Sequence, residues 1–152
     1  MVRLFNLILA VLIPLLAKPY EPSKHFIQIT TLDGLSQSWV RTIYQDDLGY
    51  IWFGTADGLN RYDGSNFTIY MPDEGSQTGL LHSSINHIAP KSNAEMWICT
   101  DLGVSIYNKH TDEFSAFPYL KNINTEVCLE DTKGLIWFGT DDGLYRFNPK
   151  DS

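Results

Sequence analysis

YIWFGTADGLNRYDG, Tyr50 to Gly64, has a near copy later in the chain: LIWFGTDDGLYRFN, Leu135 to Asn148. A single phrase of this kind could be a catalytic loop or a glycine-rich nucleotide cradle. A repeated one is a building block, and internal repetition is read before any motif inside it. A looser third version, EMWICTDLGVSIYN, Glu95 to Asn108, lies between the two. With Trp52, Trp97 and Trp137 as the ruler, the steps are 45 and 40 residues. The match extends upstream, where VRTIYQDDLG (Val40 to Gly49) answers TEVCLEDTKG (Thr125 to Gly134), with INHIAPKSNA (Ile85 to Ala94) in the same place. Downstream, SNFTIY answers DEFSAF.

Each unit reads as four short strands. In the first they fall near 39–46, 50–55, 58–62 and 67–70, and in the second near 84–90, 95–100, 103–107 and 114–117. The third supplies 125–130, 135–140 and 143–147. The runs are β-branched and aromatic and too short for helices. DDLG, DTKG, ADGL and DDGL are hairpin turns, in which Asp bonds the local backbone and Gly accepts a positive φ. Short strands repeating every 40 to 45 residues or so are the spacing of propeller blades. The expected fold is therefore all-β: a partial β-propeller of about three four-stranded blades, the third incomplete. Residues 34–78 form the first blade, 79–120 the second and 121–152 the third.

The middle unit departs from its neighbours. Cys99 stands where Gly54 and Gly139 stand, Leu102 replaces Asp57 and Asp142, and Lys91 and Ala94 replace the Asp and Gly of the first turn. A mechanism that needs that Asp in every blade fails here.

Residues 1–17 are a separate piece. Arg3 precedes an apolar run from Leu4 to Ala17, shorter than the roughly 20 residues of a membrane span. A basic start, an apolar centre and a polar continuation have the layout of a secretory signal peptide. Leu15 is a poor third-from-last residue for cleavage after Ala17, so an uncleaved N-terminal anchor stays open, and with it a membrane attachment. Residues 18–33 follow as a lead-in, with HFIQIT expected as an outer-type strand.

Composition bounds the function. Of the 152 residues, 43% are hydrophobic, 19% charged and 13% aromatic, which favours a folded, strand-rich chain. The net charge of −7, without a basic patch, argues against a nucleic-acid partner. Cys99 and Cys128 are too few for a zinc framework, and His25, His82, His87 and His110 show no ligand spacing with them, so no metal site is expected. Export permits a disulfide, which spacing alone cannot show.

Thr30 to Gly64, TTLDGLSQSWVRTIYQDDLGYIWFGTADGLNRYDG, closely resembles the two-component regulator propeller repeat, and FIQITTLDGLSQS resembles the usual opening of such a sensor. The resemblance is close in the first and third units and loose in the second. It implies a periplasmic or extracytoplasmic sensor region of a bacterial hybrid two-component histidine kinase or diguanylate cyclase. In such proteins seven-bladed propellers precede a β-sandwich, a membrane helix and a cytoplasmic output module, and the best-known members sense oligosaccharides. This chain matches only the start of that plan. It carries no kinase or cyclase motif, so it is not expected to be an enzyme, and it reads as a fragment whose partners are the missing blades and output domains. Open faces also make self-association an expectation, with two copies completing six blades.

Most repeated residues read as structural. Trp52, Trp97 and Trp137 are expected to pack between blades, as a stacked core requires. Gly54, Gly58, Gly103, Gly139 and Gly143 read as turn or packing glycines. GTADG lacks the Lys-Ser/Thr and the helix of a phosphate loop. Asp46, Asp57, Asp131 and Asp142 read as turn formers rather than calcium ligands, since the EF-hand pattern is absent. Cys99 and Cys128 read as small core residues. Ligand-binding residues are sought where the units differ. Trp39, opposite Ser84 and Asn124, is expected in the core, with stacking on a sugar as the alternative. Arg41, Asn86 and Glu126 share one inner-strand position, vary in each blade and could line a central channel. His87, with His82, lies near the same end of the second blade. No cofactor is implied.

The leading function is ligand sensing, with oligosaccharide-like ligands and a conformational signal to an output domain. One alternative is a propeller lyase acting on polysaccharide or lactone, which needs a convergent base and electrostatic stabiliser at one mouth; no His–Glu or Tyr–Arg pair is evident. The other is a protein-interaction scaffold, which fold alone does not separate from the first.

Overall fold

The computed structural model describes residues 26–73, 79–92 and 94–151; the expected signal peptide lies outside the described residues. Among the described residues, eleven strands form three antiparallel sheets. The first blade holds β1 (Val40–Gln45), β2 (Ile51–Thr55), β3 (Leu59–Tyr62) and β4 (Phe67–Tyr70). The second holds β5 (Ile85–Lys91), β6 (Glu95–Thr100), β7 (Gly103–Asn108) and β8 (Glu113–Ala116). The third holds β9 (Thr125–Glu130), β10 (Ile136–Thr140) and β11 (Gly143–Phe147). Each sheet is a meander in chain order, and the innermost strands β1, β5 and β9 lie side by side. All three blades carry a register shift at the same place, Val40/Thr42, Ile85/His87 and Gly139/Thr140. Such a bulge bends the strand end and re-aims its side chains.

The core lies between blades rather than within them, because each sheet has two faces to cover and only neighbouring sheets to cover them with. Trp52, Leu59, Ile85, Ile88, Met96, Ile98 and Tyr107 form one buried cluster across the first two blades. Trp97, Cys99, Val104, Phe117, Cys128, Ile136 and Phe138 form another across the second and third. Trp52 and Trp97 each reach forward. Trp52 meets Tyr107 edge-on at 4.9 Å between ring centres, and Trp97 meets Phe138 at 5.6 Å. Trp137 is half-buried and lies under Arg146, whose guanidinium carbon is 5.9 Å from the ring centre.

The first turn of each blade explains why Asp and Trp recur together. Asp46 accepts from the Leu48 and Tyr50 amides at 3.0 and 2.9 Å with one oxygen, and from Trp52 Nε1 at 2.8 Å with the other. Asp131 repeats this with Lys133, Leu135 and Trp137 at 2.8, 3.0 and 3.0 Å. One carboxylate thus closes the hairpin and satisfies the indole of the same blade. In the middle blade the place belongs to Lys91, and the buried Trp97 Nε1 has no acceptor among the described residues. Lys91 instead lies over the Trp97 ring, 5.3 Å from its centre, and pairs with Glu95. Ala94 takes the turn glycine's place at φ 60°, a left-handed conformation that costs a residue with a Cβ.

Space is tightest at two glycines. A Cβ on Gly54 would lie 2.5 Å from Thr42 Cγ2 and 2.6 Å from Ile85 Cγ2 of the next blade. Gly103 combines φ +124° with a Cβ position 2.5 Å from the Leu120 carbonyl oxygen. Cys99 fills the glycine place of the middle blade, where the residue matching Ile85 is the smaller Thr125.

One expectation fails in the lead-in. Phe26–Thr30 form no strand, and Phe26 and Ile27 are each 89% exposed. A strand needs a ladder partner, and none joins this segment among the described residues. The next residues of the chain are well tied. Thr30 and Asp33 cap a short 3-10 turn reciprocally. Ser36 N donates to Asn60 Oδ1 at 2.9 Å, fastening the chain to β3. Leu81 N donates to Ser105 Oγ at 3.0 Å, the matching bond in the second blade. The repeat thus begins near Gly34.

Candidate functional site

The innermost strands bring three blades to one cavity of about 490 Å³, lined by Trp39, Arg41, Asn86, Asp101, Asn124 and Glu126. Trp39, Arg41, Asn86 and Glu126, all singled out as possible ligand contacts, therefore line a single depression. They do so because Arg41, Asn86 and Glu126 hold one register position on adjacent strands, at the bulge.

These side chains form a continuous polar chain across the blades. Arg41 Nη1 donates to Ser84 Oγ at 2.7 Å and to Asn86 Oδ1 at 2.6 Å, and lies 3.8 Å from Asp101 Oδ1. Asn86 Nδ2 donates to Asp101 Oδ1 and Asn124 Oδ1, each at 3.0 Å, and to the Thr125 carbonyl at 3.2 Å. Asn124 Nδ2 donates to Glu126 Oε1 at 2.9 Å. Asn86 is thus the hinge of the network, accepting from the first blade and donating to the third. At the rim His82 accepts from the Ser84 amide at 3.1 Å and faces Asp101 at 4.0 Å.

Trp39 corrects an expectation. It is not in the core: the residue is 62% exposed. Its ring is backed by the Arg41 guanidinium, 4.7 Å from centroid to Cζ. The bulge turns the strand end outwards, so the side chain before it meets the cavity instead of the next blade. An indole braced on one face by a cation offers a flat apolar platform beside hydrogen-bonding groups of both kinds. Asp101 and Glu126 outnumber Arg41 in the lining of the cavity.

His87 does not join this cavity. Its Nδ1 lies 3.9 Å from Cys128 Sγ and 3.4 Å from the Cys128 amide. His87, Cys99 and Cys128 bring their ligating atoms within 4.8 Å of one another. Both cysteines are free thiols and buried. The neighbouring Cys99 thiol, then the His87 ring, hold the Cys128 thiol below its ordinary value against the opposing effect of burial. The Cys128 thiol and burial push Cys99 up. Chain spacing hid this trio, because His87 and Cys99 meet as partners across β5 and β6 while Cys128 arrives from the next blade. A signal was present all the same: each of the three breaks the repeat, replacing Thr42 or Val127, Gly54 or Gly139, and Ile43 or Ile88.

A second polar cluster is structural. Asp112 accepts from Tyr107 and Tyr70 at 2.6 and 2.7 Å and lies 3.5 Å from Arg61. It pins the outer strand of the first blade to the turn after β7.

The two component regulator propeller model matches residues 34–57, the span from the start of the first unit into its second turn. Among curated proteins, 79 residues are 38% identical to histidine kinase P4 of Formosa agariphila, a match covering 52% of this chain and 6% of that protein. Two crystal structures of the extracellular domain of BT4673 from B. thetaiotaomicron align over 74% of this chain. Identity is 28%, with TM-scores of 0.62 and 0.61. One is described as a one component system and the other as a hybrid two component system. The chain spans 17% of those structures. In fold and repeat it is similar to the extracellular domains of two-component sensors.

Proposed function

We propose that this chain is part of the extracytoplasmic ligand-sensing propeller of a two-component sensor, and that it binds an oligosaccharide-like ligand at the cavity around Trp39. The carrying observation is that the inner-strand residues differing from blade to blade, Arg41, Asn86 and Glu126, meet in one polar cavity beside the exposed Trp39. A sugar ring stacks on the free face of Trp39, and its hydroxyls exchange hydrogen bonds with Arg41, Asn86 and Glu126. The network spans three blades, so a ligand that engages it favours one relative setting of the blades. That preference is the differential affinity needed to bias an output domain. The chain itself is not an enzyme on this reading: it recognises and transmits.

The test is a thermal-shift screen of the chain against neutral and acidic oligosaccharides, repeated on Trp39→Ala. A ligand at about 100 times its Kd adds about 2.7 kcal/mol to stability, a rise of several degrees. The expected result is such a rise for at least one sugar in the wild type and its loss in Trp39→Ala. No rise with any sugar, or an equal rise in the variant, contradicts the proposal.

A further inference from the structure

We propose that His87, Cys99 and Cys128 form a binding site for a thiophilic d10 cation, with Zn²⁺ as the ion to test, clamping the second blade to the third. This inference is independent of the sugar cavity.

The donor set is two sulfurs and one imidazole nitrogen, the ligands that soft and borderline metals take. Zn–S and Zn–N bonds of about 2.3 and 2.0 Å put neighbouring ligand atoms of a tetrahedral centre roughly 3.5 to 3.8 Å apart. The observed Sγ–Nδ1 separation is 3.9 Å, and all three atoms lie within 4.8 Å. A contraction of a few tenths of an ångström to about one completes the triangle. The backbone fixes the donors: His87 and Cys99 are register partners in one sheet, and Cys128 stands on the adjoining inner strand. His87 Nδ1 accepts from the Cys128 amide at 3.4 Å, a long bond that a metal on the same lone pair would replace.

Access and the fourth ligand come from the same side. A cavity of about 570 Å³ opens on His87 and Cys128, with Lys91 and Glu130 at its rim. Water from it completes a three-ligand centre in the manner of open zinc sites.

The repeat supplies an internal control. The corresponding positions between the first and second blades are Thr42, Gly54 and Ile88, which offer no thiolate or imidazole. The backbone, the bulge and the packing recur there, so folding alone does not require this trio.

The experiment is an anaerobic titration of the reduced full chain with Co²⁺, read by absorption, then displacement by Zn²⁺. The expected result is one cobalt per chain, a thiolate-to-cobalt charge-transfer band in the near ultraviolet, strong tetrahedral bands in the visible, and their loss on adding zinc. Cys128→Ser and His87→Ala should each weaken binding by more than the roughly tenfold cost of losing even an outer-shell partner. Should either variant fail to fold, the wild type still decides: bound zinc must protect both thiols from a thiol reagent and raise the melting temperature. Two reactive, titratable thiols with no charge-transfer band overturn the site. So does a band that persists in Cys99→Ser/Cys128→Ser. A Cys99–Cys128 disulfide that forms as readily with zinc present as without it overturns it too.

Discussion

Asp46 and Asp131 each do three jobs with two oxygens, and the blades depend on this. Asp46 is 5% exposed, and removing its side chain leaves the buried Trp52 indole N–H and two turn amides without their acceptor. Asp46→Ala is therefore expected to cost about 1–3 kcal/mol, read as a lower urea midpoint with an unchanged slope. A loss below the error of that measurement contradicts the assignment. Asp131 adds a pH signature. The Trp137 indole, then the Leu135 and Lys133 amides, hold its carboxyl below the ordinary value of 3.8. A depressed folded pKa means its contribution is fully present above the unfolded value and lost as pH falls through the folded one. Urea melts in the acid range below 3.8 should show wild type losing more stability than Asp131→Asn. Equal losses contradict the role. Trp52 and Trp97 were legible from the sequence as inter-blade packing because they recur in register. Trp39 was not, because its exposure depends on a bulge that residue types do not announce.

At the scale of the element, the middle blade is the natural experiment. Lys91 and Ala94 leave an indole without an acceptor among the described residues and a strained turn, yet the hairpin forms because β5 and β6 are held by Ile85, Ile88, Met96 and Ile98 in the core. Restoring the repeat with Lys91→Asp/Ala94→Gly should stabilise the chain by about 1 kcal/mol, since Trp97 Nε1 regains its acceptor. An unchanged or lower urea midpoint contradicts the reading. The opposite experiment is Gly54→Ala, whose methyl collides with Thr42 and Ile85 across the blade boundary. Overpacking of this kind costs about 1–3 kcal/mol, and a neutral effect in the same assay would mean that the blades are less tightly apposed. Strand positions were legible to within a residue or so, because hairpin turns and β-branched runs are local signals. The lead-in misled for the converse reason: HFIQIT has strand chemistry, but a strand exists only with a partner. The His87–Cys99–Cys128 trio escaped because its members meet through pairing across strands and blades, which linear spacing does not display.

At the scale of the molecule, repetition and variation divide the work. Residues that recur, Trp52 with Trp97, the turn glycines and Asp46 with Asp131, build and stack the blades. Residues that differ converge in two places: the polar cavity of Trp39, Arg41, Asn86 and Glu126, and the thiol–imidazole cluster. Three adjacent innermost strands make a surface that no single blade has, and the hydrogen-bond chain from Arg41 through Asn86 to Glu126 runs along it. Ligand binding at that surface is tested by following the four tryptophan indole N–H signals by NMR during titration with the oligosaccharide panel, with Trp39 assigned from Trp39→Phe. The Trp39 signal should shift saturably with at least one sugar, while Trp52, Trp97 and Trp137, which lie outside the cavity, move little. A Trp39 signal that stays fixed across the panel, or binding that shifts only the other three, would contradict it.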